Sequence, residues 1–257
     1  MIQCLIAVLT FILPTYWVMA EPTPLEEASR YYQKGENAQD LFERKKAFNQ
    51  ALYFYQEVER NHPPLTHSSR LYQAIANTYF QLQEYPWSIL YDYRALEIEP
   101  RNPEILNHLA EAQQELNIPS NPNRPWINRW LSFNYFLSLP QRWEIFFWLA
   151  LFTLAVCLLV KEKRITRLLM IIIGLWALNL LVSFYFTPIE AILVESTGLY
   201  REPNLTQAQL LPVPLQAGIK VNVIDTAQEG KWLKIRMEED NTVGYIPFKT
   251  ARIINLD

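Results

Sequence analysis

The chain has 257 residues, half of them hydrophobic, and a formal net charge of −3. That charge gives no electrostatic case for nucleic-acid binding, and the length allows about one to three domains. The two cysteines, Cys4 and Cys157, both lie in apolar runs, so neither polar part of the chain can hold a disulfide.

Residues 2–13 form an apolar run, followed by Pro14 and by Val18-Met19-Ala20 ahead of Glu21. Residues 1–20 therefore read as a secretory signal peptide cut after Ala20. No Lys or Arg precedes the run, so an uncleaved N-terminal anchor is the alternative. Either one places the following domain outside the cytoplasm.

From 25 to 118 the apolar residues recur with helical period. Pro63 and Pro100 each end a pattern, and Ala51 and Ser88 lie twelve residues before them, an offset of 37. In the clearer unit, Tyr72, Ile75, Ala76, Tyr79, Leu82 and Tyr85 mark one face of a first helix. Ile89, Tyr91, Ala95 and Leu96 mark a second. Ala76, Ser88 and Ala95 are small enough for the two helices to approach closely. The first unit is looser: Ala28, Tyr31 and Gly35 mark one helix and Ala47 to Pro63 the other. About eleven extra residues, including the charged run ERKK, lie between them, so either a helix is lengthened or the turn is displaced. Residues 102–116 read as one capping helix whose apolar face is Leu106, Leu109 and Ala110.

These units resemble tetratricopeptide repeats, whose period is about 34 residues. Asp92 departs, standing where that family usually has an aromatic. The resemblance implies that first helices line a concave groove for an extended peptide. Carried onto this sequence, the groove residues are Arg70, Gln73, Asn77 and Phe80, with Asn107 and Glu111 on the capping helix. The two asparagines can donate to and accept from a peptide backbone, Phe80 offers an apolar contact, and Arg70 suits a carboxylate. The alternative is that these are ordinary solvated side chains.

Residues 119–142 change in character. Pro119, Pro122 and Pro125 make a stiff linker, and a tryptophan-rich stretch follows. Residues 126–139 read as a short helix on the outer membrane surface, with Arg129 and Arg142 near lipid phosphates; packing of these aromatics on the helical domain is the alternative. Residues 143–187 then form a hairpin. Sixteen uncharged residues run from Ile145 to Val160 and nineteen from Leu168 to Phe186, close, with their flanks, to the about 20 that cross a bilayer core as a helix. Between them Lys161, Lys163, Arg164 and Arg167 face a single acid, Glu162. Short basic loops stay in the cytoplasm, so both flanking domains are expected outside. A helical hairpin buried in a soluble core is the competing reading. Asn179, within the second run, is expected to bond to the neighbouring helix.

Residues 188–257 switch to short β segments: AILVE, GLYREP, GIKVNVID, KWLKIRM, TVGYIP and ARII. Their order resembles bacterial SH3 domains, with Trp232, Gly244, Tyr245 and Pro247 as signature residues. Gly244 reads as a turn that lets Tyr245 pack, and Trp232 as a core or rim residue. The expected fold is thus multidomain: an all-α tetratricopeptide domain, a two-helix transmembrane hairpin and an all-β SH3-like barrel.

No HExxH, CxxC, GxSxG or phosphate-cradling glycine loop occurs. His62, His67 and His108 are scattered, near helix ends or on a polar face. The chain reads as a non-enzyme with no metal and no cofactor. The whole order of parts resembles the tetratricopeptide members of the Bat aerotolerance operon proteins. That resemblance implies a bacterial inner-membrane adaptor beside von Willebrand A domain membrane proteins and a cytoplasmic MoxR-type ATPase. Two functions stay open: a scaffold that holds protein partners, and a cell-wall sensor whose SH3-like part binds peptidoglycan.

Overall fold

A computed structural model describes residues 23–61, 68–119, 137, 139–159, 163–186, 188–238 and 240–254. The signal-peptide region, His62, His67, Lys161 and nearly all of the 120–138 aromatic stretch lie outside these residues.

Five helices form the first unit: α1 (Pro24–Asn37), α2 (Leu41–Asn61), α3 (Ser69–Gln81), α4 (Tyr85–Ile98) and α5 (Pro103–Glu115). Local chemistry sets their starts. Thr23 caps α1 in a reciprocal box with Glu26, Asn102 caps α5 through the Glu104 amide, and proline opens α1, α4 and α5. Neighbours in sequence pack as antiparallel pairs, α1 on α2 and α3 on α4. Ala28, Ala51, Ala76, Ser88 and Ala95 are fully buried at the crossings, as the sequence requires. At Gly35 an added Cβ would lie 2.8 Å from the Phe48 ring, so this helix pair closes only without a side chain there. Aromatics fill the remaining space: Tyr79 stacks between Trp87 at 5.7 Å and Tyr91 at 5.6 Å. Burial pushes the Tyr72 and Tyr79 hydroxyls up to about 12, so both stay protonated at any ordinary pH.

Two local expectations are resolved or corrected. The extra residues of the first unit lengthen α2, whose charged start from Leu41 to Lys46 is exposed. The apolar face of α5 is Ile105, Leu109 and Ala112, spaced i, i+4, i+7, whereas Leu106 is 44% exposed.

Two long apolar helices follow, α6 (Leu139–Leu159) and α7 (Lys163–Phe186), packed on each other. Both are long and apolar enough to cross a membrane. A hairpin buried in a soluble core is not what the structure shows. Most of the large apolar side chains described along both helices are exposed, among them Phe152, Leu158, Ile171 and Leu175.

The last unit is a five-stranded antiparallel sheet: β1 (Ile189–Leu193), β2 (Lys220–Ala227), β3 (Trp232–Met237), β4 (Val243–Pro247) and β5 (Ala251–Ile253), in the order β4-β3-β2-β1-β5. A 3₁₀ turn, Phe248–Thr250, joins β4 to β5. The expected strand GLYREP is instead part of a long loop, 194–219, held by single bridges of Tyr200 to Gln209 and Tyr245. Ala191, Leu193, Leu199, Val221, Leu233, Ile235 and Ile246 form this unit's own core.

The β unit does not stand apart from the helices. Ile192 and Ile254, 0% and 1% exposed, belong to the helical core rather than to the sheet's own core. Strand β1 lies against α4, so its two faces are buried in two different cores. Polar contacts ring this joint. Arg94 of α4 donates from Nη2 to the Ile253 carbonyl (3.2 Å) and from Nη1 to Glu59 Oε1 (3.2 Å), with its guanidinium over the Tyr91 ring. Lys220 lies 5.2 Å from the Tyr93 ring centre while donating to Glu190 Oε1 at 2.9 Å. Burial alone would depress the Lys220 ammonium, but Glu190, Tyr93 and Glu238 together hold it above its ordinary range. Gln216 Nε2 donates to the Leu116 carbonyl at 2.6 Å, and Arg252 covers Trp87.

Candidate functional site

The groove proposed from the sequence lies on α3 and α5. Arg70, Gln73, Asn77 and Phe80 are spaced i, i+3, i+7, i+10, which places them on one side of α3. Arg70 is exposed, and Gln73 and Asn77 are half-buried. Phe80 is half-buried too, with its ring centre 5.3 Å from Tyr85 and 5.1 Å from His108. It therefore ties α3 to α5 as well as facing outward. Asn107 and Glu111 are exposed, one turn apart, on either side of His108 in sequence. Arg70 belongs to the other end of α3, where its charge acts on Glu99. That carboxylate is held below its ordinary range first by the Ser69 hydroxyl, then by Asn102, with a smaller contribution from Arg70.

In the sequence His108 stands near helix ends or on a polar face, and Asp92 stands out only as a departure from the repeat pattern. The structure brings the two together. Asp92 is 0% exposed, and both its carboxylate oxygens lie 2.9 Å from His108 Nδ1. This is a buried ionisable pair between α4 and α5; other polar links there are Gln113 Nε2 donating to the Tyr93 hydroxyl at 3.3 Å and the Tyr85 hydroxyl bonded to Glu115. Burial pushes the Asp92 carboxyl up to about 6 although His108 pulls it down. Burial also works against the His108 cation, but the hydrogen bond and charge of Asp92, helped by Glu111 and Glu104, raise it above its ordinary range. The signal that could have found the pair was the oddity of Asp92 itself: a carboxylate on a core face demands a donor.

On the β unit, Trp232 is 7% exposed and meets Tyr200 edge-on at 5.7 Å, consistent with its reading as a packed residue. Gly244 is not in a turn. It pairs with Ile235 inside β4, and an added Cβ would lie 2.7 Å from Leu199 and 2.9 Å from Leu210. Its lack of a side chain lets the 194–219 loop close over the sheet. Tyr245 is half-buried and exchanges two backbone hydrogen bonds with Tyr200, at 2.8 and 2.9 Å. Pro247 precedes the 3₁₀ turn, and its carbonyl accepts from the Thr250 hydroxyl at 2.7 Å. Of the basic loop, Lys163, Arg164 and Arg167 fall in the first turns of α7, the two arginines exposed. The Arg142 Nε donates to the Leu137 carbonyl at 3.0 Å.

Among the described residues, no three His, Cys, Asp or Glu side chains converge as a metal site would need. Comparisons with protein-family models, with curated protein sequences and with solved structures gave no match.

Proposed function

We propose that this chain is a membrane-anchored, outward-facing scaffold, a non-catalytic adaptor of the tetratricopeptide type with an SH3-like barrel docked on its back. The stacked helical pairs, with small residues at their crossings, support the first part of that reading. The strand order, the long loop after β1 and the 3₁₀ turn before β5 support the second. The observation that carries it is the joint between α4 and β1. Two units separated in sequence by a membrane-length hairpin pack through fully buried isoleucines, which supports both lying on the same side. Together with the basic loop, this supports an inner-membrane hairpin with its loop in the cytoplasm and both units outside.

β1 is seated on α4, and on the α3 and α5 side Gln73, Asn77, Asn107 and Glu111 would offer hydrogen bonds to an extended segment. The partner class follows from the resemblance to the Bat operon proteins: a von Willebrand A domain membrane protein of the same envelope system. The scaffold is favoured over peptidoglycan binding because Trp232 packs against Tyr200 instead of standing open to a sugar ring. The test is site-specific photocrosslinking in cells. A photoreactive residue at Asn77 or Asn107 is expected to give a defined adduct, identified by mass spectrometry, while the same probe at Tyr53 gives none. Adducts from Tyr53 but not from the two asparagines would place binding elsewhere.

A further inference from the structure

We propose that the Asp92–His108 pair is a proton-sensitive latch that holds α5 against α4 and so regulates the groove. The proposal rests on the scaffold reading for its consequence but not for its test. The geometry comes first. Asp92 is wholly out of water, and its partner is a single ring nitrogen on the next helix, 2.9 Å from both oxygens. The rest of the α5 face is mainly aliphatic: Ile105, Leu109 and Ala112. An apolar residue at 92 would join the helices at any pH, whereas a buried carboxylate ties the joint to the protons the pair carries.

The latch reaches both functional ends of α5. Its ring packs on Phe80 at 5.1 Å, between Asn107 and Glu111 of the proposed groove. At the end of the helix, the Leu116 carbonyl accepts from Gln216, and Leu116 and Ile118 cover Gly218 of the β unit. Releasing α5 thus disperses the groove and loosens the docked β unit together.

The charges facing the pair set the sign. From α5, Glu104 and Glu111 act on His108; from α3 the neighbour is the uncharged Phe80 ring. On other sides of α4, Tyr91 and Arg94 meet Glu59 of α2, and Tyr93 meets Lys220. Asp92 holds its proton up to about pH 6 in the fold against 3.8 when free. A carboxyl raised in this way loses stabilisation as pH climbs through that window. His108, raised above its free value of 6.5, contributes fully below 6.5 and loses its contribution as pH rises through its folded value. Both act in one direction: the latch is tight in mild acid and slack in alkali.

Hydrogen exchange of the detergent-solubilised full chain, corrected for intrinsic rates, reads this directly. Between pH 5 and pH 8 the amides of 103–118 are expected to open at least about tenfold more often, while those of 69–81 stay unchanged. Asp92→Phe and Asp92→Asn should each flatten that profile, and either one suffices if the other fails to fold. A flat wild-type profile, a parallel rise in 69–81, or a slope that survives in a folded variant would overturn the proposal. None of these readings involves a partner, so failure of the latch is distinct from failure of the groove.

Discussion

An Ile192→Asp substitution is expected to detach the β unit from the helices while leaving each unit folded. Ile192 is 0% exposed and sits in the helical core, while its neighbours Ala191 and Leu193 point into the core of the sheet. The cations opposite it, Lys220 on β2 and Arg252 on β5, are already engaged by Glu190 and by the Trp87 ring, and a further charge taken out of water at this joint costs several kcal/mol. The chain escapes the cost by opening the joint and wetting the aspartate. Chemical unfolding of the solubilised protein should then change from one cooperative transition to two. Ile192→Val, which removes one methylene, should cost about 0.5–1.5 kcal/mol and keep a single transition. One unchanged transition in Ile192→Asp would mean that the two units never depended on each other.

The second large effect is expected at Gly218. Its φ of +92° disfavours any other residue, and an added Cβ would stand 2.6 Å from Leu116 Cδ1 and 2.8 Å from Ile118 Cδ1. Gly230 is its internal control, with φ of +81° and nothing within 4 Å. Gly230→Ala therefore carries the backbone cost alone, about 1–3 kcal/mol. Gly218→Ala should carry that cost plus about 1–3 kcal/mol of overpacking at the end of α5. The difference between the two unfolding midpoints isolates the contact between the units. Equal losses would show that Leu116 and Ile118 yield freely and that the α5 end of the joint holds little.

Much of this arrangement is written locally. Hydrophobic runs mark α6 and α7 without ambiguity, and the 37-residue offset between Ala51 and Ser88 marks where helices cross. Pairings across the chain are less accessible, because periodicity reports which face is buried and not what buries it. Yet a trace of the joint is present. Ala191-Ile192-Leu193-Val194 is four apolar residues in a row, where a sheet with one wet face would alternate. That run announces a strand covered on both sides, and the structure supplies α4 as the second cover. On α5 the apolar side chains of Leu106 and Ala110 lie beside the buried face, and the i, i+4, i+7 spacing of Ile105, Leu109 and Ala112 is what marks it. His108 lies on the polar side of its own helix, and only the position of α4 turns that side inward. A glycine in a β-rich stretch suggests a turn, but the demand for Gly244 comes from Leu199 and Leu210, far off in sequence.

In the proposed arrangement the helical and β units form one body on the outer face of a membrane hairpin. Asn117 and Gln216 are both exposed and lie side by side at the joint, where Gln216 reaches the Leu116 carbonyl. With Cys4 and Cys157 replaced by serine, Asn117→Cys and Gln216→Cys can be joined by a short, membrane-impermeant bis-maleimide added to intact spheroplasts. After solubilisation, a protease cut in the 161–167 loop separates the two halves unless the crosslink holds them. The account predicts a covalently linked pair of fragments. Two separate fragments, from a protein whose cysteines each react singly with an impermeant maleimide, would contradict it.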